Sequence, residues 1–132
     1  MDNTTYDIKQ AALEYVIDTG GPWETVSARP FLSSLVIDDD TDFADFDAAK
    51  ATYTGSGAIV ITWSGVLRSS GNLPFVESQL LLWACTAAPS PAETVAGVFY
   101  YNGTDLLGWD LLPAQKIINQ VGDSVQFVTV LP

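Results

Sequence analysis

Six carboxylates lie within the ten residues from Asp38 to Asp47, the densest chemistry in the chain. Alternating carboxylates are calcium ligands in an EF-hand loop, so Asp38, Asp40 and Asp42 are the candidate metal ligands. The remainder of that loop does not fit, because Phe43 stands where the sharp turn needs glycine and the bidentate glutamate is missing. Three interpretations stay open: a solvated acidic loop, adventitious calcium binding, and a surface that faces a basic partner. We predict no resident metal.

Other catalytic groups are sparse. The chain has no histidine, and its single cysteine, Cys85, follows an apolar run. Carboxylates such as Glu77, Glu93, Asp105 and Asp110 stand singly, and no spacing typical of an activated serine nucleophile occurs. A lone cysteine forms no intramolecular disulfide, and a free cysteine is usually buried. We therefore predict that the protein is not an enzyme and binds no cofactor.

Charge and hydropathy restrict the partners. The 132 residues carry a formal net charge of −11 with only five lysines and arginines, which disfavours binding to the phosphates of nucleic acid. The first residues lack the basic and apolar regions of a signal peptide, and the longest apolar run, Leu80 to Cys85, is far below the roughly 18 residues that span a bilayer. We expect neither a nucleic-acid nor a membrane partner, and synthesis in a cytosol without secretion.

Fifteen aromatic residues could serve a core or an interface. Large, stiff aromatic side chains are enriched at the energetic centres of protein interfaces, although many also fill cores. Phe43 and Phe46 are expected to anchor the acidic stretch to the body of the protein. The candidates for contact with a partner are Tyr6, Trp23, Phe43, Phe46, Tyr100, Tyr101 and Trp109.

These residues need strands to position them, and the clearest sign of strands in the sequence is a predicted β-hairpin. Residues 94–112 contain two runs of β-branched and aromatic residues around Asn102 and Gly103, the pair favoured in a type I′ turn. We predict a hairpin in the middle of a sheet. The continuous apolar centre of 80–85 predicts a strand buried on both faces, and the alternation over 124–131 predicts one half-buried strand.

Two other segments have less certain boundaries. Pro30 interrupts an apolar stretch, which predicts two strand segments, the second over 31–37 and central in a sheet. Residues 111–120 fit either a short helical turn or an extended crossing. Apolar residues spaced three and four apart predict an amphipathic helix within residues 1–21, acting either as a lid on the sheet or as an arm that docks on a neighbouring subunit.

Seven to nine short strands with one helix at the start define the expected fold. We predict an all-β protein with a single antiparallel β-sandwich, jelly-roll-like, over residues 22–132, and an N-terminal helical arm over 1–21. The two parts are expected to form one compact domain, as the chain length favours.

The order of features resembles a known group of proteins. Between Leu35 and Leu131 the chain contains five features in a fixed order. They are an acidic loop after Leu35-Val36-Ile37, the segment DFDAAKATYTGSGA, an ITWS strand, ETVAGVFYYNGTDLLGWDLL and VGDSVQFVTVLP. This order is similar to small phage virion proteins, in which a "tytGya" segment, a late "GyyvtD…Ll" hairpin and a terminal "GD-l-v" strand recur. Proteins of that kind are typically jelly-roll or sandwich subunits that decorate the head or another particle surface.

The resemblance implies a non-enzymatic structural role in the virion. It implies a capsid decoration subunit, made in the host cytoplasm, whose partners are copies of itself and a major capsid or other virion protein. It supplies no catalytic or ligand residue. The alternative is a tail or fibre module that binds a receptor or carbohydrate, which would expose several aromatic residues in one concavity. A third interpretation is a cellular adhesion or filament subunit that donates its last strand, 124–131, to a neighbouring copy.

Overall fold

The computed structural model describes residues 23–68 and 73–131, together with Gln10, Ala12, Glu14 and Ile17. These ranges are all-β, with antiparallel pairing throughout the sheets and one short helix, which confirms the predicted sandwich-like fold class. In chain order the elements are β1 (Ser27–Leu32), α1 (Phe43–Ala48), β2 (Ile59–Val60), β3 (Leu67–Arg68), β4 (Pro74–Glu77), β5 (Leu81–Ala84), β6 (Glu93–Asn102), β7 (Asp105–Ile118), β8 (Ser124–Phe127) and β9 (Val130–Leu131).

The contacts between residues divide the chain into two compact units. The larger unit comprises Val26–Val60 and Leu81–Phe127, and it contains a four-stranded sheet in the order β2-β1-β6-β7 and a two-stranded sheet of β5 and β8. The smaller unit comprises Ile61–Leu80 and Val128–Pro132 with the described residues before Val26, and its sheet has the order β3-β4-β9. The expectation of one compact domain stays a prediction.

The predicted hairpin is formed by β6 and β7. Asn102 pairs with Asp105, so the two-residue loop is Gly103-Thr104, one residue later than predicted. Gly103 has a φ of 61°, a left-handed conformation that glycine adopts without steric cost. The hairpin is not in the middle of the sheet, since β7 is the last strand in the order of the described strands.

Strand β1 runs through Pro30 without a break, which corrects the prediction of two segments. The carbonyl of Pro30 accepts a hydrogen bond from Ala51 N–H at 2.9 Å. The N–H and C=O of one strand residue point to the same side, so an N–H at position 30 would also point away from β6. Proline, which has no N–H, therefore removes no hydrogen bond from the ladder between β1 and β6. Residues 33–37, predicted to continue a central strand, are irregular, and Val36 is 82% exposed.

The strand buried on both faces is β6 rather than β5. Strand β6 lies between β1 and β7, and its residues 95–100 are all buried. Strand β5 alternates instead, with Leu81 and Trp83 fully buried and Leu82 46% exposed. The Trp83 indole donates to Gly57 O at 2.8 Å, which satisfies its polar atom inside the unit.

Two other expectations are resolved by strand pairing. Residues 111–118 are extended as the second half of β7, not helical. The single strand predicted over 124–131 is divided into β8, which pairs with β5, and β9, which pairs with β4.

The smaller unit is held by a short sheet and an aromatic pair. Ser78 N–H donates to Thr129 O, and Thr129 N–H donates to Ser78 Oγ, both at 2.9 Å. Trp23 and Trp63 meet edge to face with ring centroids 5.9 Å apart. Most of the helical arm predicted for residues 1–21 lies outside the described residues, although the four described residues within it are helical.

Candidate functional site

An aromatic cluster lies where α1 packs on one face of the four-stranded sheet. Phe99 pairs directly with Trp109 across β6 and β7, so both side chains lie on the same face. Phe46 of α1 is fully buried against this face, with ring centroids 5.1 Å from Phe31, 5.3 Å from Phe99 and 5.6 Å from Trp109. We call Phe31, Phe43, Phe46, Phe99, Tyr101 and Trp109 the aromatic face.

The acidic sequence itself builds the helix that completes the aromatic face. Asp42 is the N-cap of α1: its Oδ1 accepts from Asp45 N–H at 3.1 Å, and Asp45 Oδ2 accepts from Asp42 N–H at 3.0 Å. This capping box satisfies donors at the helix start and sets the direction of the helix. Phe43 and Phe46, three residues apart, then share one side of α1, where Phe43 meets Tyr101 at 5.2 Å.

The outer edge of β7 is defined by the strand register. Pro30 faces away from β6, so its partner Val98 directs its own N–H and C=O toward β7. Asp110, which pairs with Val98, therefore directs its N–H and C=O toward β6. Its neighbours Trp109 and Leu111 direct their N–H and C=O the other way, out of the sheet. No strand in the part of the chain that the structure describes pairs with this side of β7. We call residues 109–111 the open edge.

The side chains at the open edge are also exposed. Trp109 is 43% exposed and Leu111 is 64% exposed. Within residues 23–68 and 73–131, every other aromatic side chain is buried or half-buried. An edge strand with large apolar side chains is a place where proteins pair with other chains.

The three candidate metal ligands do not assemble a site. Asp38 Oδ1 accepts from Asp40 N–H at 2.9 Å and from Thr41 Oγ1 at 3.2 Å, and the carboxylate of Asp42 caps α1. Two of the three carboxylates thus stabilise local backbone. Among the described residues, no group of three or more potential ligand side chains comes together.

The acidic stretch gives this side of the unit a strong negative charge. The ion pair seen in the described ranges joins Lys50 Nζ to Asp47 Oδ1 at 2.9 Å. A shallow groove of about 500 Å³ lies beside α1, with Asp42 and Asp47 in its wall. One cation, Arg29, projects from β1 on the same face, opposite Phe99. Carboxylates therefore outnumber cations around the aromatic face, and their field attracts basic groups.

A second depression, of about 480 Å³, is lined by residues 32–34, 52–54 and 87–94. Its one carboxylate, Glu93, accepts from Tyr53 N–H at 2.7 Å, from Thr52 N–H at 2.9 Å and from Thr52 Oγ1 at 3.0 Å. These bonds tie the segment after β1 to the start of β6. The arrangement gives Glu93 a structural role, and no second carboxylate lines the cleft to act with it.

Two titratable groups of the larger unit have shifted pKa values. Burial raises the pKa of the Tyr53 hydroxyl, with further contributions from Cys85 and Glu93. Hydrogen bonds from the backbone N–H groups of Asn119 and Gln120 lower the pKa of Asp123, because they stabilise its charged form. Both groups lie outside the aromatic face.

The interface candidates fall into different environments. Tyr6 lies outside the described residues. Phe46 and Tyr100 are core residues, which corrects their assignment as contact residues, because a buried side chain offers no surface to a partner. The Tyr100 hydroxyl also donates to Asp110 Oδ2 at 2.7 Å. Trp23, Phe43 and Tyr101 are half-buried, and Trp109 is exposed.

Sequence reasoning missed Leu111 and the two buried rings that complete the aromatic face, Phe31 and Phe99. The alternation of Trp109 and Leu111 at two-residue spacing was the available signal, since such residues share one face of a strand. Which face of β7 is covered depends on α1, a helix that the sequence pattern did not indicate.

In comparisons with known proteins, no protein-family model, no curated protein and no solved structure matches this chain. Among the described residues, no helix is long and apolar enough to cross a membrane.

Proposed function

We propose that this protein is a non-enzymatic structural subunit of a bacteriophage particle. Its role is that of a capsid decoration protein, which assembles with copies of itself and with the capsid shell. The observation that carries the proposal is the open edge of β7, where Trp109 and Leu111 expose apolar side chains and where no strand of the described residues pairs with their outward backbone groups.

The open edge favours assembly for a physical reason. A lone edge strand attracts other strands, so proteins usually shorten it, charge it or cover it. The exposed apolar residues of the open edge lie in the middle of the 14-residue strand β7 and are suited to burial in an interface.

Quantitative mass spectrometry of purified particles tests the proposal. Particles from the source that encodes this chain are digested, and its copies are counted against those of the major capsid protein. A ratio near parity, or a simple fraction of it, supports decoration of the shell. A few copies per particle would move the protein to the tail or fibre, and its absence from particles would refute the virion role.

The geometry favours the structural role over the two alternatives. A carbohydrate-binding module needs several exposed aromatic side chains in one concavity, yet Trp109 alone is exposed in the described ranges and it lies beside a strand edge. A donated terminal strand needs unpaired residues in 124–131. In this fold β8 and β9 are both paired within the chain.

A further inference from the structure

We propose that the open edge of β7 takes up an extended, basic segment of a partner protein as a fifth strand of the sheet. This inference rests on the proposed structural role and specifies the chemistry of the partner. The segment alternates lysine or arginine with apolar residues, and it binds antiparallel or parallel to residues 109–111.

The backbone supplies the first part of the recognition. Trp109 and Leu111 both direct N–H and C=O groups out of the sheet, at the spacing that an incoming strand matches. Added strands gain main-chain hydrogen bonds with little dependence on sequence. Side chains on the incoming strand then determine which segment binds.

The side chains supply the second part. A residue of the incoming strand opposite Trp109 lies over the aromatic face, where an indole ring favours a cation. The carboxylates of α1 and the preceding acidic loop attract the same cation. The residue two positions further along the incoming strand lies on the same face, and the methylene stem of a second lysine or arginine there covers Leu111, which is 64% exposed. The intervening residues point to the opposite face, where β-branched residues such as valine favour the extended conformation.

Charge also selects the occupant. A second copy of this chain would bring another molecule of net charge −11, with a second acidic stretch beside the first. Residues 1–22 of the same chain carry four carboxylates and one lysine, so they have the wrong sign as well. A basic segment is the occupant that the field around α1 attracts.

The open edge is short, which limits the segment that binds. The register between β6 and β7 shifts after Leu111, where the partner of Val95 is Lys116 and residues 112–115 bulge from the ladder. Pro113 in this bulge has no N–H to offer. A strand of about five residues therefore fits beside the region around 109–111.

A peptide-binding experiment tests the inference with the full-length chain. The probe is a fluorescent octapeptide of alternating lysine and valine, and the controls are the glutamate–valine octapeptide and a block octapeptide of the same lysine and valine content. We expect saturable binding of the lysine–valine probe alone, weakened by added salt. Equal binding of the glutamate–valine or block peptide would overturn the proposal, as would no binding of any peptide.

A matched pair of variants tests the backbone contact. Leu111→Pro removes an N–H that points out of the sheet and leaves the ladder to β6 intact, whereas Leu111→Ala keeps that N–H. We expect Leu111→Pro to weaken probe binding at least tenfold, and Leu111→Ala to weaken it less than about threefold. Circular dichroism confirms that both variants are folded. Equal losses would refute strand addition.

Two further measurements keep the inference testable if Leu111→Pro does not fold. A fully N-methylated lysine–valine octapeptide keeps the side chains but has no N–H donors, and we expect it not to bind the wild-type chain. Sedimentation equilibrium of the wild-type chain, with and without the lysine–valine octapeptide, tests the competing occupant: a dimer that persists and binds no octapeptide would mean that a second copy occupies the open edge, and it would overturn the inference. Peptide binding by a chain absent from particles would refute only the proposed function, and a particle-bound chain without peptide binding would refute only this inference.

Discussion

Replacing Phe46 with alanine tests whether α1 holds the aromatic face together. Phe46 is fully buried, and its ring contacts those of Phe31, Phe99 and Trp109 at centroid distances between 5.1 and 5.6 Å. Because α1 has only six residues, it has little stability of its own and depends on this packing. We therefore expect Phe46→Ala to release α1 from the sheet as well as to leave a cavity.

The size of the effect follows from the burial. Truncating a fully buried phenylalanine to alanine costs about 3–5 kcal/mol of unfolding free energy. Three aromatic contacts, each adding roughly 0.5–1.5 kcal/mol beyond area burial, favour the upper half of that range. We expect a loss of about 4 kcal/mol. Release of α1 also exposes Trp109 further to water, so its fluorescence emission should shift to longer wavelength.

Urea unfolding followed by both circular dichroism and tryptophan fluorescence measures this loss. Val36→Ala is the matched control, because Val36 is 82% exposed and its truncation should change the free energy of unfolding by less than about 0.5 kcal/mol. A loss below about 1.5 kcal/mol for Phe46→Ala would show that the ring is not packed as described. An unchanged emission maximum would show that α1 does not cover Trp109.

Three other predictions concern the larger unit. Glu93→Gln should destabilise it by about 1–3 kcal/mol in urea unfolding, since an amide replaces a carboxylate that accepts hydrogen bonds from three donor groups, whereas Asp39→Asn should have little effect. Gly55→Ala should cost at least about 2 kcal/mol, because its φ is 109° and a Cβ would collide with the Ala84 carbonyl, while Gly57→Ala, with open space around it, should be tolerated. The pKa of Asp123 is lower in the folded protein than in the unfolded chain, where it is near 4. The charged carboxylate therefore stabilises the fold above the unfolded pKa, and this stabilisation is lost as the pH falls through the folded pKa. Asp123→Asn should lose less stability than wild type between neutral and acidic pH, as measured by urea unfolding at each pH.

Local sequence patterns predicted the hairpin and the fold class. The Asn102-Gly103 turn signal and the runs on either side depend on residues close together in the chain, so they can be interpreted without a structure. The turn is displaced by one residue because Asn102 belongs to the ladder, and Gly103 alone supplies the positive φ. The pattern predicts the existence of a turn more reliably than its register.

The order of strands could not be predicted in the same way. A buried strand and an exposed edge strand differ in their neighbours, and neighbours come from distant parts of the chain. Strand β6 is buried because β1 and β7 lie on either side of it, whereas the more continuous apolar run at 80–85 forms an alternating strand. Pro30 is accommodated because its backbone C=O, and the position where an N–H would be, point toward Ala51 rather than toward β6.

The acidic stretch was interpreted correctly in part. Phe43 and Phe46 do anchor it to the sheet, as their apolar character predicted. Helix α1 was missed because aspartate is a poor helix former and the helix has only six residues. Its signal is the aspartate pair at positions 42 and 45, where one carboxylate caps the helix and the other returns the bond.

The features that protect β7 are unevenly distributed along the strand, and this bears on its role. Pro113, the bulge around it and Lys116 all lie in the second half, where they discourage pairing with another chain. In the first half the register shifts at Leu107, between the pairs of Tyr100 with Gly108 and Tyr101 with Leu106, so the segment around Trp109 and Leu111 lies between two irregularities. An edge that needed only to avoid association would be protected along its full length. The irregularities on both sides restrict pairing to the segment beside the aromatic face, which is also where the carboxylates of α1 can select a basic partner.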